Sequence, residues 1–373
     1  MILEYAAEAL RFRCSHHPFT ETVLGMLRPS FRVAREGHPA VAGTVEVRFA
    51  QRIAPPPPAR PWRAPPRLVI NDVNGPAFRV LEHAPGRVSL LREPEEDDAP
   101  VRLDVDRARG SWRVTAADDD DASARAVARL VQYFVGCRMV LRGAAVLHAS
   151  AVERHGRAVL LAGPKGSGKS TLMMQACAHA GARFLSDDLV FLWRAADGGM
   201  RCSGWPKRVA VPFTALQGVP LHTRPEAMRS RGSAPGDELR PAPGAVQHRP
   251  PAQRERLELD AEAFLRCFGV DAGEAAAPAA LVRPRFVAAH EARWSLRPRA
   301  ARVDATMLQP RHRWLFTDYL CLVPEPAGPR ARPVGRHELR QLPAFELRHR
   351  GLHPGDVREI WNTLLPGAAD EAG

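Results

Sequence analysis

Residues 160–172 read LLAGPKGSGKSTL, and residues 184–192 read FLSDDLVFL. The first stretch satisfies G-x-x-x-x-G-K-[ST] from Gly163 to Ser170, with an apolar run before it and a helical pattern after it. In such a turn successive backbone N–H groups point into the loop. Together with the N-terminus of the following helix they form a cradle for phosphate oxygens. Gly163, Pro164, Lys165, Gly166, Ser167, Gly168, Lys169, Ser170 and Thr171 are the candidate binding residues. The Lys169 ammonium is expected to reach the β- and γ-phosphates, and the Ser170 hydroxyl to ligate Mg²⁺.

The second stretch narrows the chemistry. Asp187 and Asp188 follow the loop after a single helix, flanked by apolar residues on both sides. Adjacent residues of a strand point to opposite faces, and two buried acids in a row are costly unless each has a partner or a task. Phosphoryl transfer supplies two tasks: one carboxylate holds Mg²⁺, and the other accepts the proton of an attacking hydroxyl.

Composition sets the limits. The chain has 373 residues, 45% of them hydrophobic, enough for two or three domains with real cores. The formal charge of +12 would by itself suggest a nucleic-acid partner. Lysine, however, occurs only at Lys165, Lys169 and Lys207, with arginine at every other basic position, a skew that reads as coding bias and not as a binding face. Nucleic acid is therefore disfavoured, and two lysines within five residues become informative. The six cysteines form no C-x-x-C pair, so neither a zinc site nor a disulfide framework is expected. MILEYAAEALRFRCSHH lacks the pattern of a secretory signal, and no apolar run is long enough for a membrane span. The expectation is a soluble cytoplasmic protein with no membrane partner, self-association being left open.

Patterning divides the chain. Short period-2 runs (FRVA at 31, TVEVRFA at 44, RLVIND at 67, FRVLEH at 78, RVSLL at 87, VRLDV at 101, SWRVTA at 111) predict a β-rich domain over residues 1–117. Its proline run at 54–66 is a loop or spacer, and the acidic run at 118–121 reads as a linker and helix cap. A second domain is expected over 122–365. Val127, Leu130, Val131, Phe134 and Val135 open it at helical spacing. AAVLHASAV and RAVLLAG read as a hairpin or adjacent strands, STLMMQACAHAG as a helix, and ARFLSDDLVFLW as one interrupted strand. Residues 222–257, rich in Pro, Arg and Gly, predict a mobile insertion. RHRWLFTDYLCLV at 311–323 reads as a buried helix or strand pair, and GDVREIWNTLL as the last helix.

With these residues in view, LHASAVERHGRAVLLAGPKGSGKSTL…GARFLSDDLVFL resembles the nucleotide-binding core of HPr serine kinase/phosphorylase and its relatives, part of the phosphoenolpyruvate-carboxykinase-like group. That resemblance implies an α/β, P-loop, mixed-sheet core following the β-rich N-terminal domain. It also implies ATP and Mg²⁺ as cofactors and a small protein or peptide as substrate, phosphorylated on a hydroxyl, serine above all. Asp187 would be the base, Asp188 with Ser170 the metal site, and His148, which matches the family's histidine offset from the loop, would sit near the phosphates. The family's E-[IV]-R-G segment has no counterpart after Leu192. GWPKRVAVP at 204–212 stands there instead, similar to a Trp/Phe-Pro segment of HPr-kinase-related proteins, some of which accompany peptide-modification gene clusters. In it Lys207 or Arg208 could contact substrate. The rival reading is a P-loop regulatory ATPase, a nucleotide switch with no phosphoacceptor.

Overall fold

A computed structural model describes residues 1–6, 8–34, 41–50, 53, 67–69, 77–84, 86–92, 100–207, 209–212, 256–259, 261–287, 292–300, 307–308, 316–318, 320–326 and 332–366. The chain is mixed α/β and divides into two compact units. Met1–Ala144 with Pro310–Arg332 form unit 1, and Ala145–Gln309 with Pro333–Gly373 form unit 2.

Unit 1 is built on one nine-stranded sheet. In chain order its elements are β1 (Ile2–Tyr5), β2 (Glu8–Cys14), α1 (His17–Leu27), β3 (Arg32–Ala34), β4 (Val41–Phe49), β5 (Arg67–Val69), β6 (Ala77–Ala84), β7 (Arg87–Arg92), β8 (Val101–Asp106), β9 (Ser111–Ala116) and α2 (Asp121–Leu141). The strands lie in the order β3-β1-β2-β4-β9-β8-β7-β6-β5, parallel at β2/β4 and β4/β9 and antiparallel elsewhere. Strict alternation drives this burial: Val101, Leu103 and Val105 of β8 and Trp112, Val114 and Ala116 of β9 are buried. The seven expected strands are present. The β1–β2 hairpin and α1 were not anticipated.

The boundary expected near residue 117 lies elsewhere. Asp120 caps α2 by accepting the Ser123 N–H at 2.7 Å, and the helix then packs into unit 1. The Phe134 ring meets Trp112 edge-on at 5.0 Å, and Arg138 pairs with Glu8 of β2 at 3.0 Å. Residues 310–332 also belong to this unit. Among their described residues Phe316, Leu322 and Val323 are buried, as expected, yet 316–318 and 320–323 carry neither helix nor strand. Their backbone is tied down otherwise: Trp112 Nε1 donates to Leu322 O at 2.8 Å, and the Asp318 carboxylate accepts the N–H groups of Leu322 and Val323. Helical periodicity revealed the face that α2 buries but not the partner.

Unit 2 comprises β10 (Ala145–His148), β11 (Ser150–Arg154), β12 (Arg157–Leu161), α3 (Lys169–His179), β13 (Arg183–Ser186), β14 (Leu189–Arg194), β15 (Met200–Gly204), β16 (Val209–Pro212), β17 (Arg256–Leu259), α4 (Ala261–Phe268), β18 (Ala277–Phe286), β19 (Trp294–Arg299), α5 (Arg336–Arg340), β20 (Ala344–His349) and α6 (Pro354–Leu364). A six-stranded sheet runs β13-β11-β12-β18-β20-β19, with β12, β18 and β20 mutually parallel. A three-stranded antiparallel sheet, β10-β14-β15, packs against it, and β16 pairs with β17. Val159 and Leu161 of β12 join the core beneath α3, α4 and α6, whereas Ala158 and Leu160 face the three-stranded sheet and α5. Burial on both faces is why RAVLL reads as an unbroken apolar run. Most of the expected 222–257 insertion and all of the 54–66 proline run lie outside the described residues. Among the described residues no helix is long and apolar enough to cross a membrane.

Candidate functional site

The site forms where two chain segments change sheets side by side. ARFLSDDLVFLW is two strands and not one: β13 belongs to the six-stranded sheet and β14 to the three-stranded sheet, with Asp187 and Asp188 in the step between them. β10 and β11 make the same step through Ala149. Register places these steps together, because His148 pairs with Leu189 and Ala151 with Ser186. Ala149 N–H donates to Asp188 O at 3.0 Å. The buried Ser186 hydroxyl braces the turn, donating to Leu189 O at 2.6 Å and accepting the Asp188 N–H at 3.3 Å.

The glycine loop leaves the end of β12 and enters α3 at Lys169. Gly166 and Gly168 adopt φ of +84° and +93°, in the left-handed region that side chains disfavour. The buried Lys169 ammonium arches back over the loop, donating to Gly163 O at 2.8 Å and Pro164 O at 3.2 Å. Burial lowers its pKa, and the carboxylates of Asp187 and Asp188 partly restore it. Ser167 Oγ is buried without a hydrogen-bond partner, a polar atom inside the loop left for something else to satisfy. Lys165 and Gly166 are exposed at the loop tip, and Thr171 is half-buried in the first turn of α3.

The two acids differ sharply. Burial raises the Asp187 pKa above the usual carboxylate range, and the neighbouring Asp188 adds to the effect. Hydrogen bonds from Ser170, the Ala210 backbone and Ser150 oppose that rise without cancelling it. For Asp188, burial also acts upward, but His148 and Lys207 reverse it, and its pKa lies well below the usual range. His148 Nε2 stands 3.0 Å from Asp188 Oδ1, and the Lys207 ammonium contacts Oδ2.

His148, Lys169, Ser170, Asp187 and Asp188 are thus gathered at one place. The pairing differs from expectation in one respect: Ser170 is hydrogen-bonded to Asp187, whereas the expected metal pair joined it to Asp188. Lys207 is the side chain at this place that the sequence underrated. Trp205 sets its position, its ring buried against Phe191 at 4.8 Å and its backbone N–H donating to Leu189 O at 2.9 Å. The rarity of lysine was the available signal. Arg208 lies outside the described residues. Among those residues no three His, Cys, Asp or Glu side chains cluster as a protein-only metal cage. Two carboxylates and a hydroxyl suit a Mg²⁺ shared with substrate phosphates better than a cage would. No protein-family model matches this chain, and no curated protein matches it either.

Proposed function

We propose that the chain is an ATP- and Mg²⁺-dependent kinase with an HPr-kinase-like P-loop core. It transfers the γ-phosphate to a hydroxyl, serine above all, of a small protein or peptide. One observation carries the reading: beside a phosphate-type loop stand two adjacent carboxylates whose protonation is pulled in opposite directions. A raised pKa suits a group that must take a proton at neutral pH, and a depressed one suits a group that must stay ionised beside a cation.

The residues fit the cofactors. The loop offers an ammonium, an unsatisfied hydroxyl and two left-handed glycines, a donor set for phosphate. Asp188 already holds a cationic group in Lys207, and Ser170 lies beside the acid pair. Mg²⁺ held by Asp188 and the Ser170 hydroxyl would neutralise charge on the β- and γ-oxygens. Lys169 turns from the loop carbonyls to the phosphates, and His148 keeps Asp188 oriented. Asp187 accepts the acceptor hydroxyl's proton as that oxygen bonds to the γ-phosphorus. The bond to the β–γ bridging oxygen breaks, and ADP leaves with its electron pair.

The test uses γ-labelled ATP, Mg²⁺ and serine-containing peptides encoded beside this chain. Label on a peptide serine supports the kinase. Label found only as inorganic phosphate, whatever peptide is added, supports the regulatory ATPase instead and overturns the proposal.

A further inference from the structure

Phe286 ends β18 and is one of three large hydrophobic side chains left exposed among the described residues, at 54%. The other two, Met1 and Val33, belong to unit 1. β18 runs parallel to β12 with Val282 opposite Leu161, so its last four residues continue past the point where β12 gives way to the glycine loop. There the Phe286 ring lies against Gly168, where a Cβ would come within 3.0 Å of it. Gly168 is thus favoured by its φ, and the ring packs close against it.

The ring also rests on His349, its register partner across β18 and β20, with centroids 4.4 Å apart and planes 49° apart. His349 is 4% exposed, and neither ring nitrogen has a hydrogen-bond partner. Burial lowers its pKa, which keeps the imidazole neutral. A buried histidine whose ring makes no hydrogen bond packs obliquely behind the phenyl ring, which stays open to solvent. An exposed aromatic ring fixed in this way, at the mouth of a phosphate loop, matches what a nucleotide requires. Its base must lie within reach of its phosphates, and every base offers a π-face to an aromatic ring.

We infer that Phe286, backed by His349, is the platform on which the base of the nucleoside triphosphate stacks while its phosphates occupy the 163–170 loop. The inference rests on the nucleotide reading of that loop and adds the subsite that distinguishes a nucleotide from a bare polyphosphate. Calorimetry with Mg²⁺-ATP and Mg²⁺-tripolyphosphate separates the two, using the full chain, Phe286→Ala and Phe286→Trp. Stacking predicts that Phe286→Ala weakens ATP binding about tenfold or more, leaves tripolyphosphate binding unchanged, and that Phe286→Trp restores ATP affinity. If Phe286→Ala binds both ligands as the parent does, the platform is wrong and the loop assignment survives. If it weakens both equally, the ring merely supports Gly168, and the platform is again wrong. If the parent chain binds neither ligand, the loop assignment fails and takes the platform with it.

Discussion

In unit 1 the Glu8 carboxylate, 1% exposed, meets Arg138 at 3.0 Å and Arg142 on its other oxygen, and Arg138 also donates to Pro324 O at 2.5 Å. One acid between two guanidiniums ties β2, α2 and the 316–326 segment together. In unit 2 two acids stand adjacent in the chain, and their direct partners differ: Asp188 has His148 and Lys207, while Asp187 is held by hydroxyl and backbone donors. Both regions bury carboxylate, yet their arrangements serve different ends. A buried acid set between guanidiniums holds elements in register, and its value lies in not being broken. A buried carboxylate held by hydroxyl and backbone donors, beside one ion-paired to an ammonium, is the kind of arrangement found at reactive sites.

The strongest way to break this contrast is to neutralise one acid in each region. Asp187→Asn is expected to lower phosphoryl transfer about 10²- to 10⁴-fold, the usual contribution of a positioned base, with ATP binding retained. The same variant should melt at a higher temperature than the parent at neutral pH. Because the Asp187 pKa is raised on folding, its ionised form opposes folding above that pKa, and the gain from asparagine disappears as pH falls through it. Glu8→Ala should do the reverse. It leaves the buried Arg138 without its carboxylate, costs about 3–5 kcal/mol of stability by denaturant titration, and leaves the transfer rate per folded molecule unchanged. A destabilised Asp187→Asn, or a catalytically dead but folded Glu8→Ala, would erase the distinction.

Lys207→Met sharpens it. The depressed Asp188 pKa means that its ionised form contributes stability above the ordinary carboxylate pKa of 3.8, lost as pH falls further towards the folded value. Removing the ammonium lets burial act with less opposition, so the Asp188 pKa rises. The acid-induced loss of stability that Asp188 resists should then begin at higher pH in unfolding titrations, while the acid limb of the transfer rate, set by Asp187, stays in place. Acid unfolding that is unchanged in Lys207→Met would show that the ammonium does not hold the Asp188 pKa down.

Which parts of this were readable in advance follows from the range of each interaction. The loop, α3 and the β11–β12 hairpin are local patterns of glycine and apolar residues, and the acid pair announced itself because LSDDLV interrupts an apolar run. That the interruption is a change of sheet was not readable, since β13 and β14 are largely buried on both faces and such a run does not say which sheet it joins. The partner of α2 was hidden for a similar reason. Lys207 meets Asp188 across nineteen residues, and Phe286 meets Gly168 across more than a hundred; no periodicity encodes either contact.

The smallest expected effect probes whether the crossover needs its brace. Ser186 is 2% exposed, and its hydroxyl spans the acid pair from Leu189 O to the Asp188 N–H. In Ser186→Ala the Leu189 carbonyl still accepts from Trp205 N–H, so the group left without its partner is the Asp188 amide. That loss costs about 1 kcal/mol. Because the freed amide belongs to the residue whose carboxylate faces His148 and Lys207, the transfer rate should fall a few-fold beyond any loss of folded protein. Equilibrium unfolding and transfer assays on the same samples separate the two effects. A drop in stability with an unchanged rate would show that the pairing of His148 with Leu189 and of Ala151 with Ser186 holds the acids in place unaided.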